Sequence, residues 1–516
     1  MWVGKRSILT LFSTLTLVQF DLSHQTKIYS LKLRTSAQAS SSIDGAVQVR
    51  RRRSVGASDN GDVRWKYARN NLRGRAGQGY YIEMSIGTPK QNFHVLVDTG
   101  SANFAVAAAP HEFIKTFFKT NESTTYKDLK KKVKVPYTQG EWDGNLCQDM
   151  TSIVTGPDVA VMSNIAAITH SEAFFINGSN WQGILGLGYA DIARPDNTVE
   201  PFFTTLVRQG HVENIFAIQL CGPNLNKQPS SAGATEAEVA GTMTVGGVDD
   251  TLYNGTMWYT PLTKERFYEV VVVDMEVNNE SLAMDCKEYN FDKTIVDSGT
   301  TNLRLPEAVF SKLNAKITQV LKPILKNKTI PPEFWSGDQL ICRDGPIEPW
   351  DWFPTISITL QGMDEEQAFK LVVSPKQYLS IVEPDSEHCY KYGISSSKSG
   401  AVIGAVVMEG FYVVFDRNNK SVGFAMSTCA DQTEIPVMAP NIVGPLRINS
   451  TGCAYNVMSP DNQILLIIAY IMAAICVLCL VVPMIFLYVH WQMEKCRGKP
   501  DAPDDNGLLR QTESDS

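Results

Sequence analysis

Two short acid-containing turns in this chain carry the residue types for acid–base chemistry: Asp98-Thr-Gly-Ser101 and, 199 positions later, Asp297-Ser-Gly-Thr300. Two carboxylates brought to one place cannot both ionise freely, and a pair that shares one proton supplies an acid and a base together. Each Asp ends an apolar run, and Gly100 and Gly299 permit the tight turn and close approach that a side chain would block. The hydroxyls of Ser101 and Thr300 are placed to donate to the outer carboxylate oxygens and fix their planes. Such a pair can take a proton from a water that attacks a peptide carbonyl and give one to the oxyanion or the leaving amine. That chemistry calls for no metal, cofactor or covalent intermediate. One Asp-Thr-Gly is a common turn; two, each at a strand end and each followed by a hydroxyl residue, point to function.

The elements that must hold these turns are strands. Tyr80–Ile86 alternates in part, breaks at Gly87-Thr88-Pro89 and resumes at Phe93–Val97, a hairpin that runs into Asp98. Short β-rich runs such as Glu269–Val277 and Phe411–Phe415 fill most of the chain, and only Glu200–Gln209 and Pro306–Leu321 read as helices. The halves repeat an order: a carboxylate turn, then an apolar-glycine stretch, Trp181–Gly188 in the first and Ala401–Ala405 in the second. Two related β-lobes, each contributing one Asp to a shared cleft, are expected.

The 516 residues, 44% hydrophobic and 20% charged, have an ordinary globular composition, too long for one small core. A mild net charge of −7 without a concentrated basic face argues against nucleic acid as a partner. No Cys or His spacing suits zinc, so the metal expectation is none. Lys5 and Arg6 followed by apolar Ile8–Phe20 read as a signal peptide, placed at 1–23. A polar, basic segment without strong periodicity, 24–53, ends in Arg50–Arg53 and reads as a prosegment removed by a convertase. The lobes are expected over 54–220 and 221–455, a stalk over 456–463, a membrane-spanning helix over 464–489 and a cytoplasmic tail over 490–516. At ~1.5 Å per residue that apolar run is long enough for a hydrocarbon core of ~30 Å. Lys495, Arg497 and Lys499 after it place the tail in the cytosol. The expected protein is thus a single-pass type I membrane protein of the secretory pathway, with a lumenal body and the lipid bilayer as a partner. Seven of the ten cysteines lie before the span, which suits three disulfides and one spare thiol. Seven sequons there, at Asn121, Asn177, Asn254, Asn279, Asn327, Asn419 and Asn449, suit glycosylation.

Several stretches resemble the pepsin-like aspartic proteases, and among them the membrane-anchored beta-secretase branch: Asp98–Val106, Val135–Gly140, Asp285–Asn290, Ile295–Pro306 and Met408–Asp416. The resemblance implies a mainly β, bilobal pepsin-like fold with two related β-lobes and one C-terminal transmembrane helix. It implies that Asp98 and Asp297 form a catalytic dyad supported by Gly100, Ser101, Gly299 and Thr300. It makes Lys134–Asp143 a flap over the substrate, with Tyr137, Thr138 and Gln139 facing it. Thr301 and Arg304 would contact the bound peptide, the arginine favouring acidic or polar side chains. The pairing it implies is Cys221 with Cys429, Cys286 with Cys453 and Cys342 with Cys389, leaving Cys147 alone. The implied substrates are lumenal parts of membrane-anchored proteins, amyloid precursor-like proteins foremost, cleaved at acidic pH in the Golgi, endosomes and at the cell surface. Asp504, Leu508 and Leu509 resemble an acidic dileucine signal for endocytic adaptors. Ala102, Cys147 and Arg266 depart from the family pattern. The alternative reading is a catalytically inactive lumenal binding module of the same fold.

Overall fold

A computed structural model describes residues 28–34, 64–67, 79–137, 140–178, 180–222, 239–325, 329–342, 348–382, 389–429, 440–449, 452–455 and 460–497. Strands dominate because apolar residues recur at every second position over short runs closed by glycine, proline and asparagine. The hairpin of Tyr81–Ile86 and Gln91–Asp98 is antiparallel, from Tyr81 opposite Leu96 to Ile86 opposite Gln91. Gly87, at φ 86°, makes its turn in a conformation that disfavours any side chain.

The sequence repeat is a topological repeat. In the first half, Gln91–Asp98 runs parallel to Gly183–Gly186, which pairs antiparallel with Phe104–Ala107, itself parallel to Val161–Glu172. In the second, Thr294–Val296 runs parallel to Ala401–Ile403, which meets Leu303–Pro306 antiparallel at Arg304 and Val402. Leu303–Pro306 is in turn parallel to Ile394–Ser397. The interior strands of both motifs are buried on both faces, as parallel strands are, which is why they read as unbroken apolar runs.

A thirteen-stranded sheet joins the halves, ordered from Tyr253–Pro261 at one edge to Lys127–Pro136 at the other. Fourth from the Tyr253–Pro261 edge, Ile215–Leu220 pairs with both Val239–Val245 and Phe411–Asp416. The expected lobe boundary at 220/221 therefore falls between two strands that pair with each other, and Met1–Tyr455 forms one contact unit. The same sheet contains Tyr29–Arg34, inside the segment expected to lack periodicity. Leu31 and Leu33 are buried, the intervening residues point away, and the strand lies between Val239–Val245 and Tyr81–Ile86. A period of two over six residues is too short to stand out beside the polar stretch that follows.

Helices are few. Phe202–Gly210 buries Phe202, Phe203 and Leu206, and Pro201 as N-cap starts it two residues after the expected Glu200. Glu307–Leu321 buries Val309, Leu313, Ile317 and Leu321, one residue per turn, with Pro306 outside it as the cap. Asn456–Ser516 is a second unit, built on helix Pro460–Cys496. It extends beyond the expected 464–489 at both ends because its polar flanks, Asp461-Asn-Gln and His490–Cys496, contain no helix breaker. Within it, Ile467–Lys495 is long and apolar enough to cross a membrane.

Disulfides join Cys221 to Cys429, Cys286 to Cys453 and Cys342 to Cys389, while Cys147 is a buried thiol. Burial and the neighbouring Asp149 push that thiol up to about 12, which keeps it protonated. Of the sequon residues, Asn121, Asn177, Asn254, Asn279, Asn419 and Asn449 are exposed. Asn327 lies outside the described residues, as do Arg50–Arg53 and the tail residues Asp504, Leu508 and Leu509.

Candidate active site

Asp98 closes the strand Gln91–Asp98, and Asp297 follows Thr294–Val296; both are buried at the meeting of the two halves. In each turn the glycine N–H two residues on donates to the inner carboxylate oxygen: Gly100 N to Asp98 Oδ1 and Gly299 N to Asp297 Oδ1, both at 2.8 Å. The hydroxyl three residues on donates to the outer oxygen: Ser101 Oγ to Asp98 Oδ2 at 2.5 Å and Thr300 Oγ1 to Asp297 Oδ2 at 2.6 Å. The carboxyls face one another across the glycines. A Cβ on Gly100 would stand 2.5 Å from Asp297 Cγ, and one on Gly299 would collide with Asp98 Oδ1.

Between each Asp and its glycine stands a hydroxyl residue, and the two hydroxyls lock the turns together. Thr99 N donates to Ser298 Oγ (3.2 Å) and Ser298 N to Thr99 Oγ1 (3.0 Å). Thr99 Oγ1 donates to Val296 O (2.9 Å) and Ser298 Oγ to Val97 O (2.7 Å), so each hydroxyl ends on the strand that carries the other Asp. This reciprocal lock did not emerge from the sequence. Its only signal there is the matched hydroxyl at the second position of both tripeptides.

Behind the turns, Leu187 N and Gly188 N donate to Asp98 O and Ser101 O, both at 2.8 Å. In the second half, Asp297 N donates to Ile403 O (3.0 Å), Ala405 N to Thr300 O (2.8 Å) and Val406 N to Thr301 O (3.0 Å). The apolar-glycine segments thus serve as the beds on which the carboxylate turns rest.

Burial raises the Asp98 carboxyl well above the usual carboxylate range, with the Asp297 charge second. Hydrogen bonds from Ser101 and the Gly100 N–H oppose those effects without cancelling them. A proton at this position is therefore retained to higher pH than on an ordinary aspartate.

The carboxyls open into a cleft of about 790 Å³ whose walls include Tyr137, Phe174, Trp181, Thr301 and Arg304. Tyr137 closes the tip of the hairpin made by Lys127–Pro136 and Glu141–Ile153, its N–H donating to Gly140 O at 2.9 Å. Its ring stacks on Phe174 at 5.5 Å, and Phe174 meets Trp181 edge-on at 5.3 Å. The aromatic wall makes that part of the cleft suited to apolar side chains; Phe174 was not anticipated. Thr138 and Gln139 lie outside the described residues. Arg304 is partly buried beside Asp297; burial lowers its pKa and the Asp297 charge opposes that. Lys293, ion-paired to Asp292, and Lys391, beside the Asp338 charge, also line the cleft, and the sequence reading did not single them out. Arg266 lies beside the lining residue Phe267, and Ala102 is buried beneath the first turn. Among the described residues no group of three or more His, Cys, Asp or Glu is placed to hold a metal ion.

The family model described as eukaryotic aspartyl protease matches residues 79–427. A beta-secretase of Strongylocentrotus purpuratus is 50% identical over 448 residues, 84% of this chain and 83% of that protein. Pepsin-2B of Gadus morhua is 28% identical over 369 residues, covering 69% of this chain and 98% of its own length. Cathepsin D of Mus musculus is 28% identical over 366 residues, 67% of this chain and 80% of that protein.

Proposed function

Because the chain belongs to the eukaryotic aspartyl protease family and its beta-secretase branch, we propose that Asp98 and Asp297 are the catalytic dyad of this aspartic endopeptidase. The observation that carries the reading is the mirrored setting of two buried carboxyls, each holding one glycine N–H and one hydroxyl, and each packed against the glycine of the opposite turn. The inner oxygens can share a proton and a water. One carboxylate removes a proton from that water as its oxygen bonds to the scissile carbonyl carbon, while the protonated partner hydrogen-bonds to the developing oxyanion. Collapse of the tetrahedral intermediate breaks the C–N bond, and the proton passes to the leaving amine, restoring a singly protonated pair. The pair must hold one proton for this, so activity belongs to acidic and near-neutral pH and fails on the alkaline side as Asp98 ionises.

The substrates are proteins, and the class is lumenal segments of membrane-anchored proteins, amyloid precursor-like proteins among them, presented to a protease held on the same bilayer by Ile467–Lys495. Arg304 in the cleft favours acidic side chains on the peptide. Convertase cleavage after Arg53, N-glycosylation at the sequons and adaptor binding through Asp504, Leu508 and Leu509 complete the life cycle of a type I secretory-route enzyme. The test is cleavage of a peptide library at pH 4 to 7 by the wild-type chain and by Asp297→Ala. Turnover by the wild type and a loss of at least ~10³-fold in the variant is expected. Equal turnover by both removes the dyad, and turnover by neither leaves a binding module.

A further inference from the structure

Glu409 stands apart from the cleft yet connects to both carboxylate turns. It follows the short helix Ala405–Met408, whose first N–H groups hold Thr300 and Thr301 of the Asp297 turn, and its own N–H donates to Ala405 O at 2.8 Å. Its Oε1 accepts the Tyr80 hydroxyl at 2.7 Å. The Tyr80 carbonyl in turn accepts from Val97 N at 2.9 Å, one residue before Asp98. A circuit therefore runs from Asp98 through Val97, Tyr80 and Glu409 to the helix under Asp297, with one side-chain contact as its link between halves.

Glu409 is half-buried, and its carboxyl is covered on one side. A Cβ on Gly222 would collide with Glu409 Oε2, so the segment after Ile215–Leu220 presses on it with backbone only. Tyr80, from the segment before Tyr81–Ile86, is the titratable group that acts on it; the Gly222 side brings none, and Cys221 beside it is disulfide-bonded. Among the described residues no cation compensates a charge there.

We propose that Glu409 is a positioning residue for the dyad: by accepting the Tyr80 hydroxyl its carboxyl holds the two Asp turns in register. The proposal rests on the reading of Asp98 and Asp297 as catalytic. Burial lifts the Glu409 carboxyl from the usual 4.5 to about 7, the Tyr80 hydrogen bond working in the opposite direction. The folded state thus binds this proton more tightly than the unfolded chain. Its contribution to stability is full below the unfolded value of about 4.5 and is lost as pH rises through about 7.

The test measures kcat and KM against pH for the full-length detergent-solubilised enzyme and for Glu409→Gln, Glu409→Ala and Tyr80→Phe, with unfolding followed at each pH. Glu409→Gln keeps an acceptor for Tyr80 and is neutral throughout. It is expected to match wild-type kcat and KM from pH 5 to 8. The other two variants break the circuit, and kcat should fall about tenfold or more at pH 5 with KM within about twofold. Folded Glu409→Gln with kcat as low as that of Tyr80→Phe, or folded Tyr80→Phe with wild-type kcat, overturns the proposal. If Glu409→Ala does not fold, those two variants decide. Failure of the dyad reading shows separately, as unchanged turnover in Asp297→Ala.

Discussion

At the scale of single residues, the site depends on what is missing from Gly100 and Gly299 as much as on the acids. A methyl group at either position would push against the carboxyl of the opposite turn, and neither neighbour is the flexible end of a long side chain. Gly100→Ala is expected to displace Asp297 and lower kcat by roughly 10² or more, because near-ångström errors of placement are costly to reaction rates. Ser101→Ala and Thr300→Ala act more gently, since each removes one hydroxyl from a carboxylate that keeps its glycine N–H. Their sign is informative: Ser101 lowers the Asp98 pKa, so its removal moves the alkaline limb of activity to higher pH. A steady-state pH profile of the three variants checks both statements; wild-type kcat in Gly100→Ala would contradict the first.

Among the elements, helix Glu307–Leu321 supplies the clearest energetic expectation. Leu313 is fully buried and lies one turn from both Val309 and Ile317 on the apolar face. Leu313→Ala should destabilise the catalytic unit by about 2–5 kcal/mol, the range for a cavity under partial relaxation, measured by urea unfolding of the wild-type and variant proteins. A change below 0.5 kcal/mol, well under the ~2 kcal/mol floor of that range, would mean that the face is not packed as described. This helix, the Asp98 hairpin and the paired apolar-glycine strands were legible in the sequence because their signals are local: one apolar residue per turn, alternation, or a glycine beside an unbroken apolar run. What was not legible depends on distant partners. Thr99 and Ser298 are 199 positions apart, and nothing local says that each hydroxyl ends on the other's strand. Tyr80 and Glu409, 329 positions apart, pair for the same reason without any motif. Cysteine counting allowed three bridges, whereas their pairing needed either a resemblance or coordinates.

On the scale of the whole molecule, the strand Tyr29–Arg34 ties the fate of the N-terminal segment to the central sheet. It pairs along its length with Val239–Val245, from Tyr29 opposite Val245 to Leu33 opposite Gly241, and reaches Tyr81 through Arg34. Leu31 and Leu33 are almost fully buried, and burying each stabilises by about 1.5–3 kcal/mol. Cutting the chain after Arg53 removes the covalent link but none of these contacts. The excised segment should therefore remain bound under native conditions, and release should follow only when another strand takes its place between the two edges it covers. In native mass spectrometry of a preparation cleaved at Arg53, the segment should travel with the protein, and amides of 29–34 should remain protected from hydrogen exchange. Leu31→Asp with Leu33→Asp should abolish both, because two buried carboxylates without partners cannot be held in the sheet. Immediate dissociation of the wild-type segment on cleavage would show that this strand adds little to the mature sheet and that its neighbours close without it.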